Sequence, residues 1–488
     1  MIGSGFEITP VTRETSAIAG ARLRCTNARG SSTAAIMTVA TIAFVLAVVL
    51  CAWYAKHRIG VRLNLTFLLL SILILVHGVP MLIYLHLTGP DTFIFEAALK
   101  SVDREVVQAR VLLALALMFV CLVAGSELAR LLFWRTHQRG QQALRLQGAR
   151  PAVQSYDLAG LPRAWLWLLV IAMSLVSVIE SQPTKVIEYF MSGGSEIEKL
   201  LLRREEGGTQ FYLYNVVLYS VAPFLVMVAH RADRSRRGAG ALGALAIALF
   251  AVVLLGKFAT LSKAPPVIFL LQLLLLRMVV QRRSLNVVTV AKLVCAALAL
   301  FSVVVSLTIP DLDLASVFVF LYYRVFDIPN ESLIEYFSAI PAALPHGRGA
   351  GIFPLLFHSG MSEWIPTYSA VAEVTRDSLD STSNVLFIGD AWAEFAWAGV
   401  AVFSVIAGFT VRSIDVYAFR RGHSDESACL VAGCAFGIFT MLSTALNTAM
   451  VTGGLALLPL LSVLLSRRRR RRRRIELPAP SFHRGAVP

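Results

Sequence analysis

Charge is scarce in this chain. Asp, Glu, Lys and Arg make up 15% of its 488 residues, 57% are hydrophobic, and mean hydropathy is +0.69. No water-soluble fold hides that balance beneath an ordinary surface. Acidic residues are the scarcer sign, 30 Asp and Glu against 45 Lys and Arg. In a soluble protein a net charge of +15 would point to nucleic acid. Here the basic residues fall mostly in short stretches between apolar runs, where they set membrane topology, so no nucleic-acid partner is expected. Cysteine is also sparse: there are 6 and no CxxC. Cys51, Cys121, Cys295, Cys429 and Cys434 lie in or beside apolar runs and Cys25 stands alone, which argues against a disulfide framework, a thiolate metal site and redox chemistry. Walker, HExxH and GxSxG elements are absent, as is any metal-ligand cluster. ATP and zinc hydrolysis are therefore not expected, nor is a metal or cofactor. The first apolar run, from Thr33 to Tyr54, is too long for a cleavable signal and reads as a retained signal-anchor.

What the chain has in quantity is long apolar runs. Candidate spans are Thr33–Tyr54, Asn64–Leu87, Val107–Trp134, Ala164–Ile179, Phe211–His230, Ala241–Leu255, Val267–Val280, Val287–Ile309, Leu386–Val411, Ala428–Leu446 and Val451–Leu465. About 20 apolar residues cross the hydrocarbon as a helix. The expected fold is therefore all-α, a polytopic integral membrane bundle of about eleven transmembrane helices, roughly ten to twelve allowing for boundaries. One membrane domain, residues 33–466, would follow a weakly ordered segment 1–32 and precede a basic tail 467–488.

Loop charge orients these spans. Lys56, Arg58, Arg62, Arg135, Arg139, Arg231, Arg234, Arg282, Arg283, Arg412, Arg420 and the eight consecutive arginines Arg467–Arg474 are expected on the cytoplasmic side. The two long polar segments, 180–210 and 310–385, then face the opposite side. An odd span count puts the N-terminus outside, whereas Arg13, Arg22, Arg24 and Arg29 argue for inside. Segment 310–385 is too long for a plain connector and is expected to form a helical cap. In it Asp327 or Asn330 is expected to cap a helix running towards Ala339. Tyr322, Tyr323, Phe326, Tyr336, Phe337, Trp364 and Tyr368 either form the cap's core or stack on sugar rings.

Ionisable residues in or beside apolar runs mark candidate chemistry. Glu127 and Arg130, three apart on one helical face, are expected to pair. Lys257 and Lys263 interrupt LLGKFATLSKAPP, and Lys263 just before Pro265 and Pro266 would sit at a helix N-terminus, a setting for an anion or an interfacial anchor. Asp390 and Glu394 are four apart at the start of the ninth run, placed to act as a base, hold a cation or pair with loop Arg and Lys. Arg203 and Arg204 in the first outer segment are either headgroup contacts or partners of Glu205 and Glu206. Arg324 beside Tyr322 and Tyr323 is placed either for substrate or for a structural pair.

GKFATLSKAPP, RVFDIPNE, the large outer loop and NVLFIGDAWAEFAWAGV together resemble the Wzy-type O-antigen and capsule repeat-unit polymerases, relatives of the O-antigen ligases. The chain departs from their pattern in carrying Lys257 and Lys263 where relatives commonly have Arg; Lys supplies a point charge without a planar fork. The resemblance implies glycosyl transfer between undecaprenyl-diphosphate-linked oligosaccharides at the periplasmic face of the bacterial inner membrane. It also implies a flippase and a chain-length regulator as partners, with membrane lipid around the spans. On that reading Arg324, Glu394, Asp390 and His346 are candidate catalytic residues. Lys263, Lys257, Arg203, Arg204 and Arg348 are candidate diphosphate ligands. A ligase-like transferase, or a transporter of lipid-linked glycans, would use the same architecture.

Overall fold

The computed structural model describes residues 14–60, 63–88, 102–146, 163–181, 212–235, 240–259, 264–281, 299, 302–303, 314–351, 365–377, 383–419 and 424–465, with side chains for most of those from Ala34 onwards. Among these the fold is all-α. In chain order the helices are α1 (Glu14–Tyr54), α2 (Leu65–His77), α3 (Val79–Ile83), α4 (Arg104–Leu146), α5 (Arg163–Ser181), α6 (Tyr212–Val216), α7 (Ala222–Ser235), α8 (Gly240–Ala259) and α9 (Ala264–Val280). There follow α10 (Leu314–Tyr322), α11 (Ile328–Ala339), α12 (Thr367–Arg376), α13 (Phe387–Phe419), α14 (Asp425–Met441), α15 (Leu446–Val451) and α16 (457–465). Wider π-helical turns at Val217–Val221 and Tyr323–Asp327 join α6 to α7 and α10 to α11.

The count of about eleven spans is wrong. Among the described residues five helical stretches are long and apolar enough to cross a membrane: Ala34–Ile59, Leu65–Leu87, Arg104–Phe133, Leu213–Ala232 and Phe387–Phe419. The other expected spans fail for identifiable reasons. Trp167–Val176, Gly243–Lys257 and Pro265–Val280 form apolar stretches of 10–17 residues, below span length. Ala428–Leu446 folds as the 17-residue α14, in which Ala428 to Cys434 are all buried by protein. Val451–Leu465 is interrupted at Gly453 and Gly454, the latter at φ +80°. Val287–Ile309 lies outside the described residues except at 299, 302 and 303. An apolar run reads the same whether lipid or neighbouring helices cover it, and only its length separates the two. The molecule is a largely helical, partly membrane-spanning protein whose long apolar helices are consistent with a multi-pass arrangement.

Outward faces support that reading. α1 buries Ala40, Phe44, Ala47 and Cys51 while Ile36, Val39, Ile42, Leu46, Val49 and Trp53 on its opposite face are exposed. Such an apolar stripe is unsuited to water. Helix α4 packs between α1 and α13, and the α4–α13 contact is the most extensive in the bundle. Reciprocal glycines make it close. A Cβ on Gly125 would overlap the Val405 carbonyl oxygen, and one on Gly408 would overlap that of Leu122, so small residues let the backbones meet. Helix α14 joins this group to α7 and α9, and α7 packs on α8. Gln272 ties α9 to α14 by donating to the Gly433 carbonyl at 3.0 Å.

Buried charges anchor the helix ends. Asp415, near the end of α13, accepts from the Leu65 and Thr66 amides at 2.9 and 2.8 Å and from the Thr66 hydroxyl, supplying acceptors to amides that the first turn of α2 leaves unpaired. Arg231 in α7 pairs with Asp425 in the first turn of α14 at 2.6 Å. The expected Glu127–Arg130 pair forms, with Arg130 Nε donating at 2.7 Å. Arg130 and Arg412 both lie near Tyr54 at the end of α1, and Arg412 also lies near Asp415, so with Arg231 they share one end of the bundle. At the other end His77 of α2 meets Asn330 of α11 at 2.8 Å, and α11 packs on α2, α4, α12 and α13. Neither Asp327 nor Asn330 caps α11: the π turn continues into it, and Asp327 is helical at φ −79°, ψ −52° with no side-chain cap bond. Asn330 instead bonds His77 and the Val76 and Phe326 carbonyls.

Candidate functional site

Helix α11 is buried from Asn330 to Ala339, although it carries Glu331, Glu335 and Tyr336. Most of its polar atoms have a partner, although Glu331 Oε1 and the Ser332 hydroxyl are buried with no hydrogen bond among the described residues. Glu335, with no exposed side-chain surface, accepts from Arg376 of α12 at 2.5 and 2.9 Å, and from the Ser383 hydroxyl. Burial pulls the Arg376 guanidinium down, and the hydrogen bonds and charge of Glu335 more than reverse this, so its proton is held above the ordinary Arg value. Glu331 accepts from the Tyr323 hydroxyl at 3.1 Å. Burial raises its carboxyl above the usual range, while Tyr323 and Tyr84 oppose the shift. The Tyr336 hydroxyl donates to Asp390 Oδ1 at 3.2 Å. Burial first, and then the Asp390 charge, push the Tyr336 proton well above its ordinary value, so it stays a donor.

Beyond this cluster α13 breaks. Phe395 (φ −134°, ψ 15°) and Ala396 (φ 52°, ψ −140°) leave the helical region, a local cost of about 1–3 kcal/mol. The glycine-rich segment Gly347–Gly351 fills the gap. The Gly347 and Arg348 amides each donate at 3.0 Å to the carbonyls of Ala393 and Glu394. In return the Glu394 carboxylate accepts from the Gly349 and Gly351 amides at 2.7 and 3.1 Å. A Cβ at Gly347 or Gly351 would overlap that carboxylate, and Gly349 holds φ +98°. Chemistry and sterics thus both require this run of glycines. His346 Nδ1 faces the Trp392 carbonyl at 2.9 Å, and since a carbonyl only accepts, Nδ1 carries the hydrogen. Trp392 stacks on Phe337 at 4.5 Å and donates to the Ile340 carbonyl at 3.0 Å.

The structure brings Asp390, Glu394, His346 and Arg348 together around the start of α13, but in different roles. Glu394 is 4% exposed and enclosed by the loop. Asp390 is partly exposed, and its second oxygen has no hydrogen bond among the described residues. Arg348 is exposed on the glycine loop. Arg324 is exposed in the π turn before α11, 5.2 Å from the Phe320 ring. Lys257 does not join them. It is fully buried, with its ammonium 4.3 Å from the Tyr219 ring and 4.9 Å from that of Phe436, a cation–aromatic enclosure among α8, α14 and the π turn before α7. Lys263, Arg203 and Arg204 lie outside the described residues, as does most of segment 180–210.

Sequence reasoning missed Glu335, Arg376 and the Tyr336–Asp390 bond. Arg376 and Glu335 are 41 residues apart, and no spacing rule links them. The one available signal was two acids, Glu331 and Glu335, on the face of an otherwise apolar helix. No family model, curated protein or solved structure matches this chain. Among the described residues no group of three His, Cys, Asp or Glu side chains is arranged to hold a metal ion.

Proposed function

We propose that this protein polymerises undecaprenyl-diphosphate-linked oligosaccharide repeat units by glycosyl transfer at the periplasmic face of the inner membrane. The observation that carries the reading is Asp390. It is a partly exposed carboxylate, oriented by a tyrosine that stays protonated, at the end of the bundle opposite Arg130, Arg231 and Arg412. A basic rim is the cytoplasmic signature of a membrane helix bundle, which favours an outward-facing Asp390. A cavity of about 660 Å³ supports the lipid half of the reading. Its lining runs along α2 and α3 from Phe67 to Ile83, with Lys56 at one end and Tyr322 and Phe326 at the other. That length and apolarity suit a polyprenyl chain.

In this mechanism Asp390 accepts the proton of the acceptor hydroxyl as its oxygen attacks the donor's anomeric carbon. The new carbon–oxygen bond forms as the bond to the diphosphate breaks, and undecaprenyl diphosphate leaves as an anion. No nucleotide is consumed, because the diphosphate is already an activated leaving group. Exposed Arg324 and Arg348 are the cations available to its developing charge. Glu394 acts as a positioning residue, holding the glycine loop.

The test is a membrane reaction containing only purified lipid-linked repeat unit. Wild-type protein yields longer lipid-linked oligomers, and Asp390→Asn lowers kcat by about 100-fold or more at unchanged protein level. Product formed only after lipid A-core is added would make the protein a ligase. Elongation by Asp390→Asn at the wild-type rate would remove Asp390 from the mechanism.

A further inference from the structure

A second cavity lies at the basic end, away from Asp390. Helices α7, α8 and α9 enclose about 770 Å³ there, within the size range of small-molecule sites. Its walls are apolar, with Val226, Ile247, Phe250 and Leu276 contributed from all three helices at helical spacing. Its rim is basic: His230 and Arg231 come from the end of α7 and Arg277 from the last turn of α9. Helix α8 begins beside them at Gly240 with no acid in its first turn, so its free amides add to the positive field.

These cations are not all committed. One nitrogen of Arg231 bonds Asp425, but its Nε is shielded from solvent and has no hydrogen-bond partner among the described residues. Arg277 is exposed and forms no ion pair among them. The sequence around each helix end is also basic: residues 231–237 hold four arginines and one acid, and residues 277–283 three arginines and no acid.

We propose that this cavity binds one two-chain phospholipid with an anionic headgroup. The phosphate sits between Arg231 and Arg277, and an acyl chain lies against Ile247, Phe250 and Leu276. The walls decide between a lipid and a free anion. Ile247 is 70% exposed on the outer face of α8, so the mouth opens along an apolar helix surface, and a soluble anion would gain nothing from that wall. Basic pockets between membrane helices recognise anionic headgroups in this way.

The experiment uses the purified full chain in detergent, titrated with phosphatidylglycerol or phosphatidylcholine, with bound lipid counted by native mass spectrometry. Wild-type protein retains one phosphatidylglycerol in preference to phosphatidylcholine. Arg277→Gln lowers that preference about five-fold, the loss expected for one basic contact to an anionic lipid. Arg277→Lys keeps the charge and most of the preference. Equal retention of the two lipids by wild type would overturn the proposal, as would an unchanged preference in Arg277→Gln. Displacement of the bound lipid by inorganic phosphate alone would show an anion site in which the acyl chain takes no part, and would also overturn it.

Discussion

Replacing Arg376 with methionine tests whether the cap is held by its buried ion pair. Three hydrogen bonds converge on Glu335, two from Arg376 and one from Ser383. The variant leaves a carboxylate of zero exposure with the serine alone. Removing one partner of a buried pair costs about 3–5 kcal/mol, whereas replacing both by apolar groups is often neutral or stabilising. Against a total stability of about 5–15 kcal/mol, the single change is severe. Arg376→Met should therefore lose about 3–5 kcal/mol, and Arg376→Met with Glu335→Leu should recover most of it despite removing more native atoms. Unfolding of purified protein in mixed micelles with increasing SDS, followed by tryptophan fluorescence, reads the difference. Trp392 stacks directly on Phe337 of α11 and so reports on the cap. A double variant as unstable as the single one would refute the reasoning, because the loss would then come from packing by the arginine stem and not from a stranded charge. A loss below about 1 kcal/mol in the single variant would mean that the pair is solvated like a surface bridge.

Glu331→Gln is expected to stabilise the protein at neutral pH, since burial raises the Glu331 carboxyl in the folded state and its ionised form is a burden there. The folded state binds the proton more tightly than the unfolded one, so wild type gains on the variant as pH falls through the raised value towards the ordinary one near about 4.3; denaturation midpoints measured across that window should converge. Gly351→Ala should detach the loop from Glu394, because the added Cβ would overlap a carboxylate oxygen; faster proteolysis within segment 340–351 would register it, and an unchanged rate would count against the clamp. Lys257→Met should leave KM for the lipid-linked unit unchanged, since the ammonium is enclosed by aromatic rings; a raised KM in the membrane reaction would return Lys257 to the substrate.

Helix type was open to sequence reading, because long apolar runs are a local property; the α4–α13 seam, made by Gly125 and Gly408 from distant runs, was not. Nor was what the apolar runs faced. The run ending at Leu446 and the run beginning at Thr33 have similar hydropathy, yet Ala428–Cys434 packs entirely within protein while half the face of α1 looks outward. Hydropathy measures apolarity, and burial by protein is a property of the partners. The same limit affected the charges. Asp390 and Glu394 were legible as a pair of acids at the start of a helix, but the break at Phe395 and Ala396 gives them separate partners. That break depends on a glycine segment more than forty residues upstream.

Three of the acids around the bundle are committed to a structural task, and exposure then separates Asp390 from Asp327 and Glu331, whose free oxygens are buried. Asp415 supplies acceptors to the start of α2, Glu335 holds α12, and Glu394 holds the glycine loop. Each has both oxygens occupied by donors from another segment, so protonating or displacing it would loosen a helix junction. Asp390 and Glu331 each have one oxygen bonded to a tyrosine and the other without a hydrogen bond among the described residues, but the second oxygen of Glu331 is buried, whereas Asp390 is partly exposed. An acid that can change its partner without loosening the fold is the kind a proton-transfer step requires. The surrounding committed carboxylates sharpen that role: their fixed hydrogen bonds keep the start of α13 and α11 in register, so the free oxygen of Asp390 is presented by a rigid frame and not by a mobile loop.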